Sequence, residues 1–244
     1  NCIHSSDELA VIGLVEVIKN LRHLYNILAD VREWLTRERP DVVVLIDYPG
    51  FNQRVAEIAR ELGIHVLYYI CPQVWAWHAS RVEKFTRLIN EAVVVFPFEV
   101  DIWAKAGAEV NWFGHPLIGV AEPTAGKEEI RKMMQLGDAS LVSLLPGSRT
   151  QEIYYIFPVL LDAAELILKQ KPNTRFLLPV ASTIDDERIL AHLRGRNLPI
   201  TMLRGQTYDA ISVSDVCLVA SGTATLETAI IGTPMVVVYK VNWL

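Results

Sequence analysis

The feature that most constrains the fold of this chain is an alternation along its length between short β-branched runs and stretches of helical spacing. This rhythm is typical of α/β domains, in which each strand of a parallel sheet is followed by a crossover helix. The runs are almost continuously apolar, so we expect helices to cover both faces of each sheet. The predicted strands are 42–46, 64–70, 92–96, 110–113, 141–145, 175–179, 200–203, 216–219 and 235–239, and the predicted helices include 52–62, 81–89, 150–169 and 224–231.

A polar stretch interrupts this alternation near the middle of the chain. Residues 121–126, Ala-Glu-Pro-Thr-Ala-Gly, contain the proline and glycine typical of a linker. We therefore expect two Rossmann-like domains, 1–120 and 121–244, whose parallel sheets face each other across a cleft. The chain opens on Asn1 and stops just after an apolar run, so we interpret it as the middle of a longer protein, with each domain incomplete at its outer end.

The composition disfavours several classes of protein. A net charge of −5 disfavours nonspecific nucleic-acid binding, which requires a basic surface. No run approaches the roughly 20 consecutive apolar residues that a membrane-spanning helix needs. The three cysteines, Cys2, Cys71 and Cys217, are odd in number and far apart. This spacing disfavours a disulfide framework and is consistent with a reducing cytoplasm.

The turn 145–149, Leu-Pro-Gly-Ser-Arg, lies between a predicted strand and a predicted helix. Ser148 and Gln151 have the spacing of a capping box, so we expect the helix to begin at Ser148. A helix N-terminus exposes unpaired N–H groups and a partial positive charge, which suits a phosphate. Gly147 would let that phosphate approach the backbone, and Arg149 would add charged donors. An ordinary strand–turn–helix with a solvated arginine is equally compatible with the spacing.

A second turn, 220–227, groups three hydroxyl side chains around a glycine between a strand and a helix. The carboxylate of Glu227 could accept both hydroxyls of a ribose. Alternatively, the hydroxyls cap the helix and Glu227 complements its dipole. Both turns follow the carboxyl ends of strands, where such sheets bind ligands, so together they favour a nucleotide site. The predicted nucleotide-binding residues are Gly147, Ser148, Arg149, Ser221, Gly222, Thr223, Thr225 and Glu227.

The first half of the chain carries other candidates for chemistry. Asp47 follows what we expect to be a buried strand. A carboxylate there is costly unless it is paired, so we expect it either to bond a partner or to have a catalytic role such as general base. Hydrogen bonding to its own Pro-Gly turn is the alternative that the spacing favours. Trp75 and Trp77 share one loop and could pack on a sugar, on an acyl chain or into the core. His115 could reach a substrate phosphate or hydroxyl, or serve as a structural histidine at a hinge turn.

The predicted helix at 11–28 is apolar over more than one stripe, with Lys19, Arg22 and His23 among its apolar residues. It could be buried between the sheet and its neighbours, or it could lie in a membrane interface with its basic residues among the headgroups. The apolar candidates for lipid contact are Leu14, Val15, Ile18 and Leu21.

Nothing in the sequence indicates a metal site or a cofactor. The histidines are scattered, and no Asp-x-Asp pair follows a strand to hold a divalent ion against a diphosphate. A transferase without such a pair would have to stabilise a leaving diphosphate with helix N-termini and a cation, and Arg149 supplies a cation.

Taken together, these segments resemble the lipid-A-disaccharide synthase family of Gram-negative bacteria. The matches follow the family's order over essentially the whole chain, and their combination is far more specific than any one of them. The matching stretches are Ile12-Gly13-Leu14-Val15-Glu16-Val17, Ile46-Asp47-Tyr48-Pro49-Gly50-Phe51-Asn52, Pro72-Gln73-Val74-Trp75-Ala76-Trp77, Phe96-Pro97-Phe98-Glu99, Phe113-Gly114-His115-Pro116-Leu117, 144–149 with Glu152, and 220–227 with Gly232-Thr233-Pro234-Met235.

The resemblance implies a GT-B fold and a metal-independent, inverting glycosyl transfer. The donor would be UDP-2,3-diacylglucosamine and the acceptor the 6-hydroxyl of 2,3-diacylglucosamine 1-phosphate, giving a β-1′,6-linked disaccharide phosphate and UDP. By this resemblance Asp47 acts as general base or orients the acceptor, and Arg149 stabilises the diphosphate. The loop 221–227 holds UDP, with Glu227 on the ribose. Asn52, Trp75, Trp77 and His115 become candidate contacts of the acceptor or its lipid.

The resemblance also bears on location and assembly. Acylated substrates favour the interfacial interpretation of 11–28 and a cytoplasmic protein held peripherally at the inner face of the inner membrane. The family has a further strand and a glycine-rich, acid-containing loop before the segment matching Asn1, and helices beyond Leu244 that can exchange in a homodimer. The alternatives are another GT-B transferase or epimerase acting on a UDP-sugar, and a non-catalytic module that only binds nucleotide.

Overall fold

The computed structural model describes residues 2–4, 14–77 and 80–240, and the side chains of 14–21, 76–77 and 80–81 are outside that description. Contacts divide the chain into two compact units, Asn1–His115 and Pro116–Leu244. Each unit is built on its own parallel sheet. No helix among these described residues is both long and apolar enough to cross a membrane.

The first unit contains a four-stranded sheet in the order β1-β2-β3-β4, in which every neighbouring pair is parallel. Because the order in space follows the order in sequence, each crossover moves the chain one strand further in the same direction. The strands are β1 Val42–Ile46, β2 His65–Tyr69, β3 Glu91–Val94 and β4 Glu109–Trp112. The helices are α1 Leu14–Glu38, α2 Pro49–Glu61, α3 Val74–Trp77, α4 Ser80–Thr86 and α5 Pro97–Lys105.

Packing of helices on this sheet forms the core of the first unit. Helix α2 buries one face, made of Val55, Ala56, Ile58 and Ala59 at helical spacing. The fully buried Tyr68 packs edge-to-face against Phe85, with ring centroids 5.7 Å apart. Buried aromatic rings of this size contribute a large share of the hydrophobic stabilisation.

The second unit contains a five-stranded parallel sheet in the order β7-β6-β5-β8-β9. The strands are β5 Ser140–Leu145, β6 Thr174–Val180, β7 Ile200–Arg204, β8 Val216–Ala220 and β9 Met235–Val238. The helices are α6 Lys127–Met133, α7 Thr150–Tyr155, α8 Phe157–Gln170, α9 Asp186–Leu193, α10 Thr207–Val213 and α11 Thr223–Ile231.

This strand order creates a topological switch point. The chain builds outward from β5 to β6 and β7, then returns to place β8 on the other side of β5. The loops leaving β5 and β8 therefore diverge to opposite faces of the sheet and open a crevice at its carboxyl edge, which is where doubly wound sheets bind ligands. The predicted α/β fold with two parallel sheets is confirmed.

Two helix predictions need correction. The stretch 150–169 is two helices, because Pro158 has no N–H to donate and its ring would clash with a carbonyl one turn back, so the chain breaks at Ile156 and restarts at Phe157. The first described helix begins at Leu14 and runs to Glu38, well beyond the predicted end at residue 28. Its later turns carry many polar residues but bury Ile27 and Leu35, and packing against α2 and the core of the first unit stabilises them.

The expectation that helices cover both faces of every strand is wrong for the described edge strands. Val42, Val44 and Ile46 alternate along β1 and are all exposed, and Val236 and Val237 of β9 are exposed as well. The central strands agree with the expectation, since Leu141, Val142 and the rest of β5 after Ser140 are buried.

The stretch predicted as a linker, 121–126, packs onto the second unit. Ala121 is buried. Thr124 donates its backbone N–H to Oδ1 of Asp209 at 2.7 Å and its hydroxyl to Oδ2 at 2.8 Å. These two hydrogen bonds satisfy the buried Asp209 carboxylate and hold the segment against α10.

Candidate functional site

The two turns singled out in the second half lie side by side. Leu145 at the end of β5 pairs with Val219 near the end of β8, so the loops that follow leave the sheet from adjacent positions. They open a cavity of about 550 Å³ at the switch point. Its lining consists of Leu145, Pro146, Gly147, Ser148, Arg149, Glu152, Pro179, Ala181, Gly205, Thr207, Tyr208, Ala220, Ser221, Gly222, Thr223, Ala224 and Glu227.

Glu152 organises the first turn. Its Oε2 accepts the backbone N–H of Ser148 at 2.8 Å and that of Arg149 at 3.0 Å. Helix α7 begins at Thr150 with Arg149 as its N-cap, so the predicted capping box of Ser148 with Gln151 is wrong. The carboxylate of Glu152, at the third helical position, satisfies two backbone donors at once and thereby sets where the helix starts.

The position of Glu152 changes the expected roles of its neighbours. A Cβ on Gly147, whose φ is +110°, would lie 2.2 Å from Oε2 of Glu152, so the glycine makes room for this carboxylate. The N–H groups of Ser148 and Arg149 that were predicted to meet a phosphate are already bonded. The side chain of Arg149 is 63% exposed, and its guanidinium contacts Glu152 Oε1 only at 3.5 Å, which leaves most of its donors available to the cavity.

The second turn presents a helix end to the same cavity. Helix α11 begins at Thr223, and its N-cap is Gly222, which has no side chain to bond the first N–H groups. Ser221, Gly222, Thr223 and Ala224 all line the cavity. Thr225 does not, and its hydroxyl donates to the carbonyl of Gly222 at 2.7 Å instead of accepting a backbone N–H as a helix cap would. The partial positive charge of this helix end therefore faces the cavity.

Glu227 is held by a residue that the sequence reasoning missed. Its Oε1 accepts a hydrogen bond from the hydroxyl of Tyr208 at 3.0 Å. Burial, followed by the hydrogen bond to Glu227, raises the pKa of Tyr208, so the phenol keeps its proton at neutral pH. Tyr208 lies in the first turn of α10, just after the short loop in which Gly205 follows β7. That repeated strand–glycine–helix pattern was the signal that could have found it.

In the first unit Asp47 lies at the carboxyl end of β1 and is exposed, rather than following a buried strand as predicted. Asp47 and Tyr48 both have positive φ angles, of +46° and +44°. The side-chain amide of Asn52 donates to the carbonyls of Ile46 at 2.9 Å and Asp47 at 2.6 Å. Asn52, predicted as an acceptor contact, therefore bonds its own turn.

Trp75 is anchored by a buried acid. Its indole N–H donates to Oε1 of Glu99 at 3.0 Å, and its ring packs edge-to-face on Phe98 with centroids 5.1 Å apart. Oε2 of the fully buried Glu99 accepts the N–H groups of Val95 and Phe96. Trp75 is nevertheless 45% exposed, so its N–H is held by Glu99 while part of the indole ring stays at the surface.

His115 lies beside the same group of aromatic residues. Its ring centroid is 5.5 Å from that of Phe96. Burial lowers the pKa of His115, and the charge of Glu99 opposes this effect more weakly. The side chains of Trp77, Leu14, Val15, Ile18 and Leu21 lie outside the described residues.

The fold and the cavity at its switch point define a class, the GT-B type α/β proteins. The chain is similar in structure to a UDP-GlcNAc 2-epimerase from Neisseria meningitidis, solved with UDP-GlcNAc, with a TM-score of 0.64, 14% identity, and coverage of 96% of this chain and 66% of that one. It is also similar to the UDP-GlcNAc 2-epimerase from Methanocaldococcus jannaschii, with a TM-score of 0.57, 14% identity, and coverage of 88% and 65%. At these identities the similarity concerns the fold alone.

Within that class, the chain belongs to the lipid-A-disaccharide synthetase family, whose model matches residues 1–244. It is 43% identical to the lipid-A-disaccharide synthase of Geobacter metallireducens over 238 residues, which are 97% of this chain. It is 41% identical to that of Nitrosococcus oceani over 243 residues, which are 98% of this chain. The chain spans 62% of the length of each of these relatives.

Proposed function

We propose that the protein is a glycosyltransferase that moves 2,3-diacylglucosamine from UDP to the 6-hydroxyl of 2,3-diacylglucosamine 1-phosphate. The observation that carries this proposal is the cavity to which Arg149, the first turn of α11 and Glu227 all contribute. The names of the sequence relatives support the reaction. The Neisseria epimerase solved with UDP-GlcNAc supports a UDP-sugar as the class of donor.

The N-terminus of α11 is the proposed binding site of the diphosphate. Its first N–H groups carry no side-chain cap, and unpaired N–H groups with a partial positive charge stabilise phosphate oxygens. Arg149 supplies a second, fully charged contact from the opposite loop. Gly147 and Ser148 line the diphosphate subsite, but the N–H of Ser148 is bonded to Glu152 and does not bind the ligand.

Glu227 is the proposed ligand of the ribose. A carboxylate can accept hydrogen bonds from two adjacent hydroxyls, and the bond from Tyr208 to Oε1 fixes its orientation. Ser221 and Thr223 border the same subsite with hydroxyl groups.

The chemical step assigned to Asp47 is proton transfer. As the acceptor O6 attacks C1 of the donor sugar, Asp47 takes the hydroxyl proton and the bond from C1 to the diphosphate oxygen breaks on the opposite face. The new linkage is therefore β, and UDP leaves with the bonding electron pair. Arg149 and the α11 N-terminus stabilise the negative charge that develops on the leaving diphosphate.

The test combines a turnover assay with a binding assay. Purified protein is given radiolabelled acceptor and UDP-diacylglucosamine, and UDP binding is measured separately by calorimetry. Asp47→Ala should lower turnover by about 100-fold or more, the scale of a lost general base, while UDP affinity stays the same. Asp41→Ala is the control, because Asp41 precedes the other end of β1 and is also exposed.

Each arm of this test can contradict part of the proposal. Full turnover by Asp47→Ala would remove Asp47 as the base. UDP binding without any disaccharide product would favour a non-catalytic nucleotide-binding protein. Transfer abolished by EDTA would contradict the metal-independent mechanism, in which Arg149 supplies the only cation.

We also propose that α1 lies at a membrane surface, as the apolar sequence at its start suggests for an enzyme of acylated substrates. Replacing Leu14, Val15 and Ile18 with serine should reduce co-sedimentation with anionic phospholipid vesicles. Leu166→Ser is the matched control, because Leu166 is an exposed leucine of α8 in the second unit. Equal co-sedimentation of the triple variant and the control would refute this placement.

A further inference from the structure

The turn after β1 is backbone-strained at two consecutive residues. Asp47 and Tyr48 both adopt left-handed conformations, which disfavour residues that have a Cβ. Among the described residues they are the only adjacent non-glycine pair with positive φ. Aspartate tolerates this conformation better than most residues that have a Cβ, whereas a bulky tyrosine does not, so the strain falls mainly on Tyr48 and other contacts have to hold the turn.

Three side-chain hydrogen bonds hold this conformation in place. The amide of Asn52 donates to the carbonyls of Ile46 and Asp47, at 2.9 and 2.6 Å. The hydroxyl of Tyr68 donates to the same Asp47 carbonyl at 2.7 Å. Tyr68 is a residue of β2, and its side chain is fully buried in the core of the first unit. On the other side of the residue, the N–H of Asp47 donates to the carbonyl of Tyr69 at 3.1 Å.

These bonds fix the backbone of Asp47 on both sides of its Cα and therefore fix the direction of its Cα–Cβ bond. None of them uses the carboxylate oxygens, and the residue is exposed. The arrangement thus fixes the point from which the carboxylate extends, and this limits the positions that a base at Asp47 can reach to those near one particular hydroxyl.

We propose that Asn52 and Tyr68 are positioning residues that aim the carboxylate of Asp47 at the acceptor hydroxyl. This inference rests on the proposed function, in which Asp47 takes the proton. It also gives Asn52 a role different from the contact with the acceptor that the sequence predicted.

The test compares Asn52→Ala and Tyr68→Phe with Asn90→Ala. Asn90 is a matched control, because its side chain accepts the N–H of Val66 at 2.9 Å and so bonds the backbone at the amino end of the same sheet. All three variants should lower the melting temperature. Only Asn52→Ala and Tyr68→Phe should also lower kcat, by about 10–100-fold with KM for the acceptor unchanged, because a misaimed base loses rate rather than affinity.

A second arm separates positioning from a general loss of structure. In the Asp47→Ala background, Asn52→Ala should cause no further loss of kcat, since it acts only through Asp47. An additive loss, or a kcat equal to that of Asn90→Ala, would overturn the inference. If Asp47→Ala itself keeps full turnover, the proposed base is wrong. If Asp47→Ala loses turnover but Asn52→Ala and Tyr68→Phe do not, the proposed function stands and only the positioning role is refuted.

Discussion

The carboxylate of Glu152 accepts the backbone N–H of Arg149 at 3.0 Å and thereby occupies the helix start that the sequence assigns to a phosphate. Glu99 does the same in the first unit, where its Oε2 accepts the N–H groups of Val95 and Phe96. Both glutamates are the third residue of their helices. At two strand-to-helix turns the helix N-terminus therefore already binds a carboxylate of the protein itself. The N-terminus of α11 has no such side chain and is the better site for a phosphate of a ligand.

Replacing Gly147 should destabilise the protein through Glu152. Gly147→Ala brings a Cβ within 2.2 Å of Oε2, in addition to the strain of a positive φ. The control is Gly137→Ala, whose φ is also positive but whose Cβ would meet nothing within 4 Å. The control should lower the free energy of unfolding by about 1–2 kcal/mol, the cost of a left-handed residue. Gly147→Ala should cost about 1–3 kcal/mol more, the scale of overpacking, in urea unfolding.

The same experiment has an internal check. Glu152→Ala removes the contacts with Oε2 and Cδ but keeps the Cβ that would lie 2.8 Å away, so Gly147→Ala should cost less in the Glu152→Ala background than in the wild type, without becoming equal to the control. An equal loss in Gly147→Ala and Gly137→Ala would mean that Glu152 moves aside freely.

Removing the cation of the donor cavity should weaken nucleotide binding. Arg149→Ala should lower UDP affinity about 10–100-fold, because a charge-assisted hydrogen bond contributes about 1.5–3 kcal/mol. Arg149→Lys should fall between this variant and the wild type, since it keeps the charge but loses the forked donors. Calorimetry with UDP gives the affinities. Arg196→Ala is the control, because Arg196 is paired with Asp162 and Glu165 and does not line the cavity. If both alanine variants bind UDP with the same affinity, Arg149 does not contribute to the site.

Glu227 should determine recognition of the ribose. Glu227→Gln should lower UDP affinity and abolish the preference for UDP over 2′-deoxy-UDP, because the acceptor of the ribose hydroxyls is weakened. Tyr208→Phe should reduce that preference partly, since it frees the Glu227 carboxylate to rotate. Thr225→Ala should change neither, because its hydroxyl bonds the Gly222 carbonyl. Equal discrimination by wild type and Glu227→Gln would place the ribose elsewhere.

His115 should make the stability of the protein depend on pH. Burial lowers its pKa below the ordinary value of 6.5, so folding favours the neutral ring. The stability contributed by this preference is fully present above pH 6.5 and is lost as the pH falls through the lowered pKa of the folded state. In urea unfolding at about pH 7.5 and about pH 5, the stability difference between wild type and His115→Asn should shrink on acidification. A constant difference would show that His115 titrates alike in both states.

The sequence predicts the strands well, because apolar β-branched runs between turn residues have few other stable arrangements. The predicted bounds of helices are less reliable, because a single residue can end a helix whose apolar spacing continues. Pro158 splits a helix whose apolar spacing continues on both sides, and the polar second half of α1 hides a helix that tertiary packing stabilises. Exposure of the β1 side chains could not be predicted either, since burial depends on what lies against a strand and not on its own composition.

What the sequence determined by itself is the order of the strands, the two turns at 145–149 and 220–227, and the acid after β1, since these are local patterns of residue types. Tertiary structure decided which of those groups are available. In the turn 145–149 the backbone N–H groups are bonded to Glu152, whereas the helix start in 220–227 has no side-chain cap. Tyr208 donates a hydrogen bond to Glu227, and Asn52 and Tyr68 bond the backbone carbonyl of Asp47. The physical reason is that a hydrogen-bonding group can be used once, and whether it is already used depends on residues that only the fold brings within 3 Å.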